Sequence, residues 1–295
     1  MPSPVALRKI IVTGTTSMIG HFLLPRLVEA GYEVHAISRR HGVNPGAAGT
    51  NVIWHQADIT HPGQLPKLDA AALIHLGPLW LLPPLLPVLN SLKIERVIGF
   101  GSTSLFSKAV SADAGERDFV ARLAAAEDAI KQQGDNLGIK WTVFRPTLIY
   151  DGVRDKNITV IMRFVRRYGF FPLPGKALGL RQPVHADDLA AACVSCLNHP
   201  STFNKAYNLS GGETMSYLQM VERIFMSLGK PPRFVPVPLG LFRLAIRIAS
   251  LLPGKRGLTG EMVTRMNADL DFDHTDATRD FGFAPRDFNL GYPDR

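Results

Sequence analysis

Apolar residues fall along the first half of this chain in short, nearly unbroken runs separated by stretches of helical periodicity. KIIVTG is followed by HFLLPRLVEAGY, then by EVHAIS, NVIWHQAD, AALIHLG, a proline-rich helical stretch, RVIGFGS, the helix containing RDFVARLAAAED, and KWTVFRPTLIY. Runs that are apolar throughout, rather than alternating, predict strands covered on both faces, and the stretches between them predict the covering helices. The expected fold is α/β, a doubly wound parallel sheet.

Beyond Tyr150 the pattern changes to DGVRDKNITVIMRFVRRYGFFPLPGK, a helix in QPVHADDLAAACVSCL, a short strand in KAYNLSG and then a proline-rich, apolar and basic stretch. Residues 1–150 are therefore expected to form a Rossmann-type nucleotide-binding domain and residues 151–295 a smaller substrate-binding lobe interleaved with it. No internal repeat or low-complexity tract interrupts this division.

Composition narrows the class only a little. With 295 residues, 46% of them hydrophobic and 20% charged, the chain can bury a large core, and its net charge of +8 favours anionic partners. Met1 to Arg8 is too short and too polar for a signal peptide, and four prolines break the apolar stretch Leu76–Leu89, so the expected location is the cytoplasm. Cys193 and Cys196 stand inside a helical pattern without further ligands nearby, which points to core residues rather than a metal or redox site. No metal site and no nucleic-acid motif is expected.

The first strand runs through Gly14-Thr15-Thr16-Ser17-Met18-Ile19-Gly20 into a helix, the arrangement in which bare backbone N–H groups and a helix N-terminus receive a pyrophosphate. Ser17 occupies the place of the usual middle glycine. The second strand ends in Ser38-Arg39-Arg40, with no carboxylate to accept from a ribose 2′-hydroxyl. That set suits a 2′-phosphate and favours NADP over NAD as cofactor.

Further pieces follow in order: Ala57-Asp58-Ile59-Thr60, His75-Leu76-Gly77, Arg145-Pro146-Thr147 with Tyr150, Pro183-Val184-His185-Ala186-Asp187-Asp188, and Tyr207-Asn208-Leu209 before Gly211-Gly212. Over nearly its whole length the chain resembles the extended short-chain dehydrogenases/reductases of the NAD-dependent epimerase/dehydratase family. The resemblance implies that Asp58 and Ile59 lie against the adenine, Leu76 and Gly77 along the cofactor channel, and Pro146 and Thr147 near the nicotinamide.

It also implies a serine or threonine after the fifth strand that polarises a carbonyl, and a tyrosine four residues before a lysine that exchanges the proton. Ser102 falls at the first of these positions, with Thr103 and Ser104 as alternates, although such a cluster also suits a plain strand-to-loop turn. Anchored on Glu127, the next helix places Phe119 and Leu123 where the tyrosine and lysine belong, and neither can move a proton. Three readings follow. Another group, among them Tyr150, Lys108, His185 and Arg122, handles the proton of a sugar-modifying oxidoreductase or epimerase. Alternatively the protein binds NADP(H) without turnover, as does an accessory subunit of respiratory complex I that GFFPLPGKALGLRQPVHADDL locally resembles, or it is a redox-sensing partner.

The expected substrate is a small molecule, a sugar nucleotide or a polyprenyl-linked sugar. Residues 238–252 read as an apolar helix carrying Arg243 and Arg247, and a second basic cluster, Arg163, Arg166 and Arg167, precedes Phe170 and Phe171. Peripheral contact with the inner membrane is one reading of both; helices that bury their apolar faces and expose the arginines are the other. A homodimer is compatible with the chain.

Overall fold

The computed structural model describes residues 8–39, 51–238, 240 and 266–291. Six strands come first: β1 (Arg8–Thr13), β2 (Tyr32–Ser38), β3 (Val52–Gln56), β4 (Ala72–His75), β5 (Arg96–Phe100) and β6 (Lys140–Pro146). Four short strands follow, β7 (Ile149–Tyr150), β8 (Phe171–Pro174), β9 (Leu180–Arg181) and β10 (Val184–His185), before β11 (Lys205–Leu209). Last come β12 (Met215–Ser216) and β13 (Phe234–Val237). The central sheet runs β3-β2-β1-β4-β5-β6-β11, with every neighbouring pair parallel. Strand order reverses between β1 and β4, so a crevice opens beyond their carboxyl ends.

Successive side chains of β1 enter different cores, as a strand buried on both faces requires. Ile10 and Val12 join Leu23 and Leu27 of α1 (Met18–Glu29). Ile11 points the other way, into a core with Leu79, Leu82 and Leu86, the last opening α2 (Leu86–Ser91). Between β5 and β6 lie α3 (Ser104–Ser107) and the long α4 (Ala114–Leu137). Asp113 caps α4 by accepting from Glu116 N–H at 2.8 Å, and Gly138, at φ 71°, ends it in the left-handed region. Its buried stripe of Val120, Leu123, Ala126 and Ile130 covers the second face of the sheet.

The second half of the chain forms a small lobe and then returns to the large one. The lobe packs α5 (Ile158–Tyr168) and a later helix, Tyr217–Ser227, around Tyr150, Phe171, Met220 and Phe225. In contrast α6 (Ala186–Cys196) lies in the core shared with α1, β11 extends the main sheet, and Phe281 and Phe283 close the same core. Cys193 and Cys196 are fully buried there, and burial pushes the Cys196 thiol up to about 12. In α5 the residues Ile158, Ile161 and Val165 are buried while Arg163, Arg166 and Arg167 are exposed, the ordinary amphipathic arrangement. The stretch 238–252 lies outside the described residues except for Pro238 and Gly240. Among the described residues no helix is long and apolar enough to cross a membrane.

Candidate functional site

The turn after β1 depends on two glycines. Gly14 has φ 71°, and a Cβ on it would stand 2.7 Å from Gly77 N, at the end of β4. A Cβ on Gly20 would stand 2.2 Å from Thr15 O, so helix and turn can approach this closely only with a bare Cα. Ser17 N–H closes the turn onto Gly14 O at 2.9 Å, and Ser17 Oγ caps α1 by accepting from Gly20 N–H at 3.2 Å. Thr15 is buried and its hydroxyl donates to Ile37 O at 3.2 Å, which ties the turn to β2.

Beyond this turn lies a groove of about 470 Å3 whose lining includes Gly14, Thr15, Ser38, Arg39, Asp58 and Gly77. Ile59, the other residue expected against the adenine, lines it as well, and so do Thr16, Ile37, Ala57, Thr60, Pro78 and Leu81, which were not expected as cofactor contacts. Thr60 donates to the Asp58 carboxylate through its N–H (3.0 Å) and hydroxyl (2.8 Å), and these bonds hold it below the usual carboxylate range. Two glycine backbones at the floor, a helix N-terminus behind them and Arg39 at the rim fit a dinucleotide. Among the other expected contacts, Ile19, Gly20 and Leu76 are buried beneath the groove, Ser17 serves as the helix cap, and Arg40 lies outside the described residues.

His75 supports the floor from below. Its imidazole is fully buried, 2.7 Å from Thr13 Oγ1 through Nδ1 and 3.0 Å from Pro78 O through Nε2. A carbonyl only accepts, so Nε2 carries the proton and Nδ1 accepts from Thr13. Burial pushes the pKa down from 6.5 to about 4. The unfolded chain therefore binds a proton that the folded chain refuses as pH falls from 6.5 to 4. Stability is unaffected by this group above that window and drops by about 3 kcal/mol across it. Urea unfolding between these pH values is expected to show the loss and His75→Gln to flatten it; an unchanged slope would assign it to other groups.

A second cavity, of about 640 Å3, adjoins the groove, and Thr16 lines both. Ser102 enters it directly after β5. A Cβ on the preceding Gly101 would meet Glu127 Oε1 at 2.9 Å, so the bare Cα leaves room for that carboxylate. Glu127 is held by Arg145, whose Nε donates to both carboxylate oxygens at 3.0 Å and whose Nη2 donates to Oε2, so α4 is fastened to β6 beside the serine. Ser102 Oγ accepts from Ser104 N–H at 3.1 Å, which leaves its own proton available to the cavity. Thr103 also lines the cavity, but its N–H and hydroxyl both donate to Pro146 O at 3.2 Å. Thr147 reaches the same wall, held by its N–H to Leu209 O at 3.1 Å and its hydroxyl to Gln182 O. Met18 lines this cavity as well.

Five residues considered for the proton transfer lie elsewhere. Leu123 is buried in the core under α4, and Phe119 packs edge-on against Trp80 at 5.7 Å, with the Arg122 guanidinium 3.9 Å from the same indole ring. Tyr150 is 1% exposed in the core of the small lobe, between His185 (5.0 Å) and Phe288 (4.9 Å), and its hydroxyl accepts from Asn289 N–H at 3.2 Å. Burial raises its pKa, and it is absent from the cavity lining, so the structure does not bring it to Ser102. His185 Nδ1 accepts from Asp187 N–H at 3.1 Å and caps α6, a positional role.

Lys108, one of the groups expected to handle the proton, lines the cavity and pairs with Glu116 at 3.2 Å. Arg154, Lys156 and Arg181, which no motif singles out, also line it. Arg154 and Lys156 share the loop between β7 and α5 and Arg181 comes from β9, so only their common positive charge could have suggested them.

Comparison with known proteins agrees with this arrangement. Residues 10–78, from β1 to the floor of the groove, match the model of the NAD dependent epimerase/dehydratase family. The UDP-glucose 4-epimerase of Vibrio cholerae is 24% identical over 172 residues, 58% of this chain and 50% of that protein. The mitochondrial NADH dehydrogenase [ubiquinone] 1 alpha subcomplex subunit 9 of Arabidopsis thaliana is 33% identical over 116 residues, 39% of this chain and 28% of that one. The chain thus spans half or less of the length of these two relatives. A UDP-glucuronic acid 4-epimerase from Bacillus cereus, solved with UDP-glucuronic acid and NAD, superposes with a TM-score of 0.71 at 16% identity over 96% of this chain and 95% of that one. The likeness to the NAD dependent epimerase/dehydratase family is thus carried by the nucleotide-binding turn and strands of residues 10–78, while the likeness in fold extends over nearly the whole chain.

Proposed function

We propose that this protein binds NADP(H) in the groove and is an oxidoreductase or epimerase acting on a nucleotide- or lipid-linked sugar held in the adjoining cavity. The observation that carries the reading is the meeting of the two spaces at Thr16, with Gly14, Ser38, Arg39 and Gly77 on one side and Ser102 and Lys108 on the other. The nicotinamide supplies a hydride donor or acceptor when bound. Ser102 then donates its hydroxyl proton to the substrate oxygen that changes charge, and the Lys108 ammonium, steadied by Glu116, is the proton-bearing group on the same wall. Arg39, at the end of β2, supplies the charge that selects a 2′-phosphate.

Ser102→Ala is expected to lower kcat about 100-fold and Lys108→Met by a similar factor, with NADPH affinity within about twofold of the parent. Stopped-flow absorbance at the nicotinamide band, with UDP-sugars and lipid-linked sugars as candidates, checks this. A second reading, a cofactor-binding protein with a structural or assembly role, is favoured by the packing of Phe119 and Leu123 away from the cavity. The same experiment separates the two: NADPH bound tightly, with no hydride exchange in the parent and no difference in either variant, supports the second.

A further inference from the structure

A third space opens from the reaction cavity. It measures about 320 Å3, and its walls are Val160, Ile161 and Phe164 of α5, Phe171 of β8, and Tyr217 and Met220 of the later helix. It shares Leu148, Lys156, Asn157, Arg181 and Leu270 with the reaction cavity, so the two are continuous. The floor is apolar, with Ile161, Phe171, Tyr217 and Met220 all buried, whereas Val160 at the rim is 49% exposed. The charges near the junction are mostly positive. Lys108, Arg154, Lys156 and Arg181 are the cations among the described lining residues of the reaction cavity, against Asp155 alone. That carboxylate is 2% exposed and already accepts from the N–H groups of Gly152 (3.2 Å), Asn157 (3.0 Å) and Thr159 (2.9 Å).

From this juxtaposition we infer that the substrate is an amphipathic anion: its reacting polar group faces Ser102, its phosphate or carboxylate lies at Lys156, and an apolar chain or ring fills the basin under α5. The inference rests on the proposal that the Ser102 cavity is the reaction site and narrows its substrate class. Sugar hydroxyls placed against Phe164, Phe171 and Met220 would lose their water partners without replacement, whereas a hydrocarbon portion loses nothing and leaves water. Lys156 makes no ion pair among the described residues and stands where polar cavity and apolar basin meet, so an anion there is drawn to it and solvated from the polar side.

The test is calorimetric titration of the full chain with inorganic phosphate and with hexyl, octyl and decyl phosphate below their micellar concentrations, alongside NADPH in the same samples. Affinity is expected to rise about two- to fourfold per added CH2, the upper value corresponding to the ~0.8 kcal/mol of a buried methylene. Val160→Glu, a rim change that leaves the core intact, is expected to weaken decyl phosphate about tenfold or more and NADPH by less than about twofold. Lys156→Met is expected to weaken all the phosphates about threefold to tenfold. Affinity independent of chain length, or unchanged in Val160→Glu, overturns the apolar basin, and unchanged affinity in Lys156→Met overturns the anion position. Alkyl phosphates that behave as expected in a protein that fails to bind NADPH leave the basin standing and remove the cofactor reading instead.

Discussion

Gly20→Ala is expected to cost about 1–3 kcal/mol of stability and to weaken dinucleotide binding about 10- to 100-fold. The added methyl would stand 2.2 Å from Thr15 O and 3.0 Å from Thr15 Cα, both backbone atoms, so no side chain can rotate to make room. Helix α1 must back away from the turn. That movement pulls Ser17 from its cap and tilts the Gly14–Thr16 backbone, the surface that the cofactor phosphates would meet. Gly63→Ala is the matched control, because a Cβ there meets nothing within 4 Å, and its effect is expected to stay within about 0.5 kcal/mol. Urea unfolding and nucleotide fluorescence titration measure the two quantities. A Gly20→Ala protein with parental stability and affinity would mean that the turn does not hold the helix at this distance.

The second large effect is expected at Arg39. It is exposed at the rim of the groove directly after Ser38, and an exposed guanidinium contributes little to stability but much to recognition of a phosphate dianion. Arg39→Ala is expected to weaken NADPH about 10- to 100-fold, the ~1.5–3 kcal/mol of a hydrogen bond to a charged group. NADH binding should change by less than about twofold, and unfolding should be unaltered. Equal weakening of both nucleotides would place Arg39 on a part common to them and remove the argument for a 2′-phosphate.

The large sheet was legible because strands buried on both faces leave a compositional mark. KIIVT, EVHAIS and RVIGF are apolar without alternation, and each proved to lie in a sheet covered by α1 and α6 on one side and by α2 and α4 on the other. The glycine turn was legible for a related reason: close backbone approach excludes every other residue, so the constraint is written directly in the chain. Two things escaped. The return of β11 to the main sheet is set by its parallel pairing with β6, a contact between Lys205–Leu209 and Thr142–Pro146 that no local pattern announces. The cations of the second cavity are likewise assembled from three separate segments, and a surface lysine such as Lys108 reads the same whether it faces solvent or a cavity.

Phe119 and Leu123 illustrate the limit of motif alignment. Spacing from Glu127 places them at the positions of a proton-transferring pair, and Glu127 does sit beside Ser102, locked to Arg145. The helix face that bears them is nevertheless occupied by Trp80 and the core beneath it. In the proposed reaction the proton falls instead to Ser102 and Lys108, which is why the variants at these two positions carry the enzymatic reading.

The central claim is that the groove between β1 and β4 binds a nicotinamide dinucleotide and selects the phosphorylated form. Titration of the unmodified protein with NADPH and with NADH, followed by nicotinamide fluorescence in one buffer at one ionic strength, tests it most directly. The account predicts saturable binding of both, with a Kd for NADPH about tenfold or more below that for NADH. Equal affinities, tighter binding of NADH, or no saturable binding of either would contradict it.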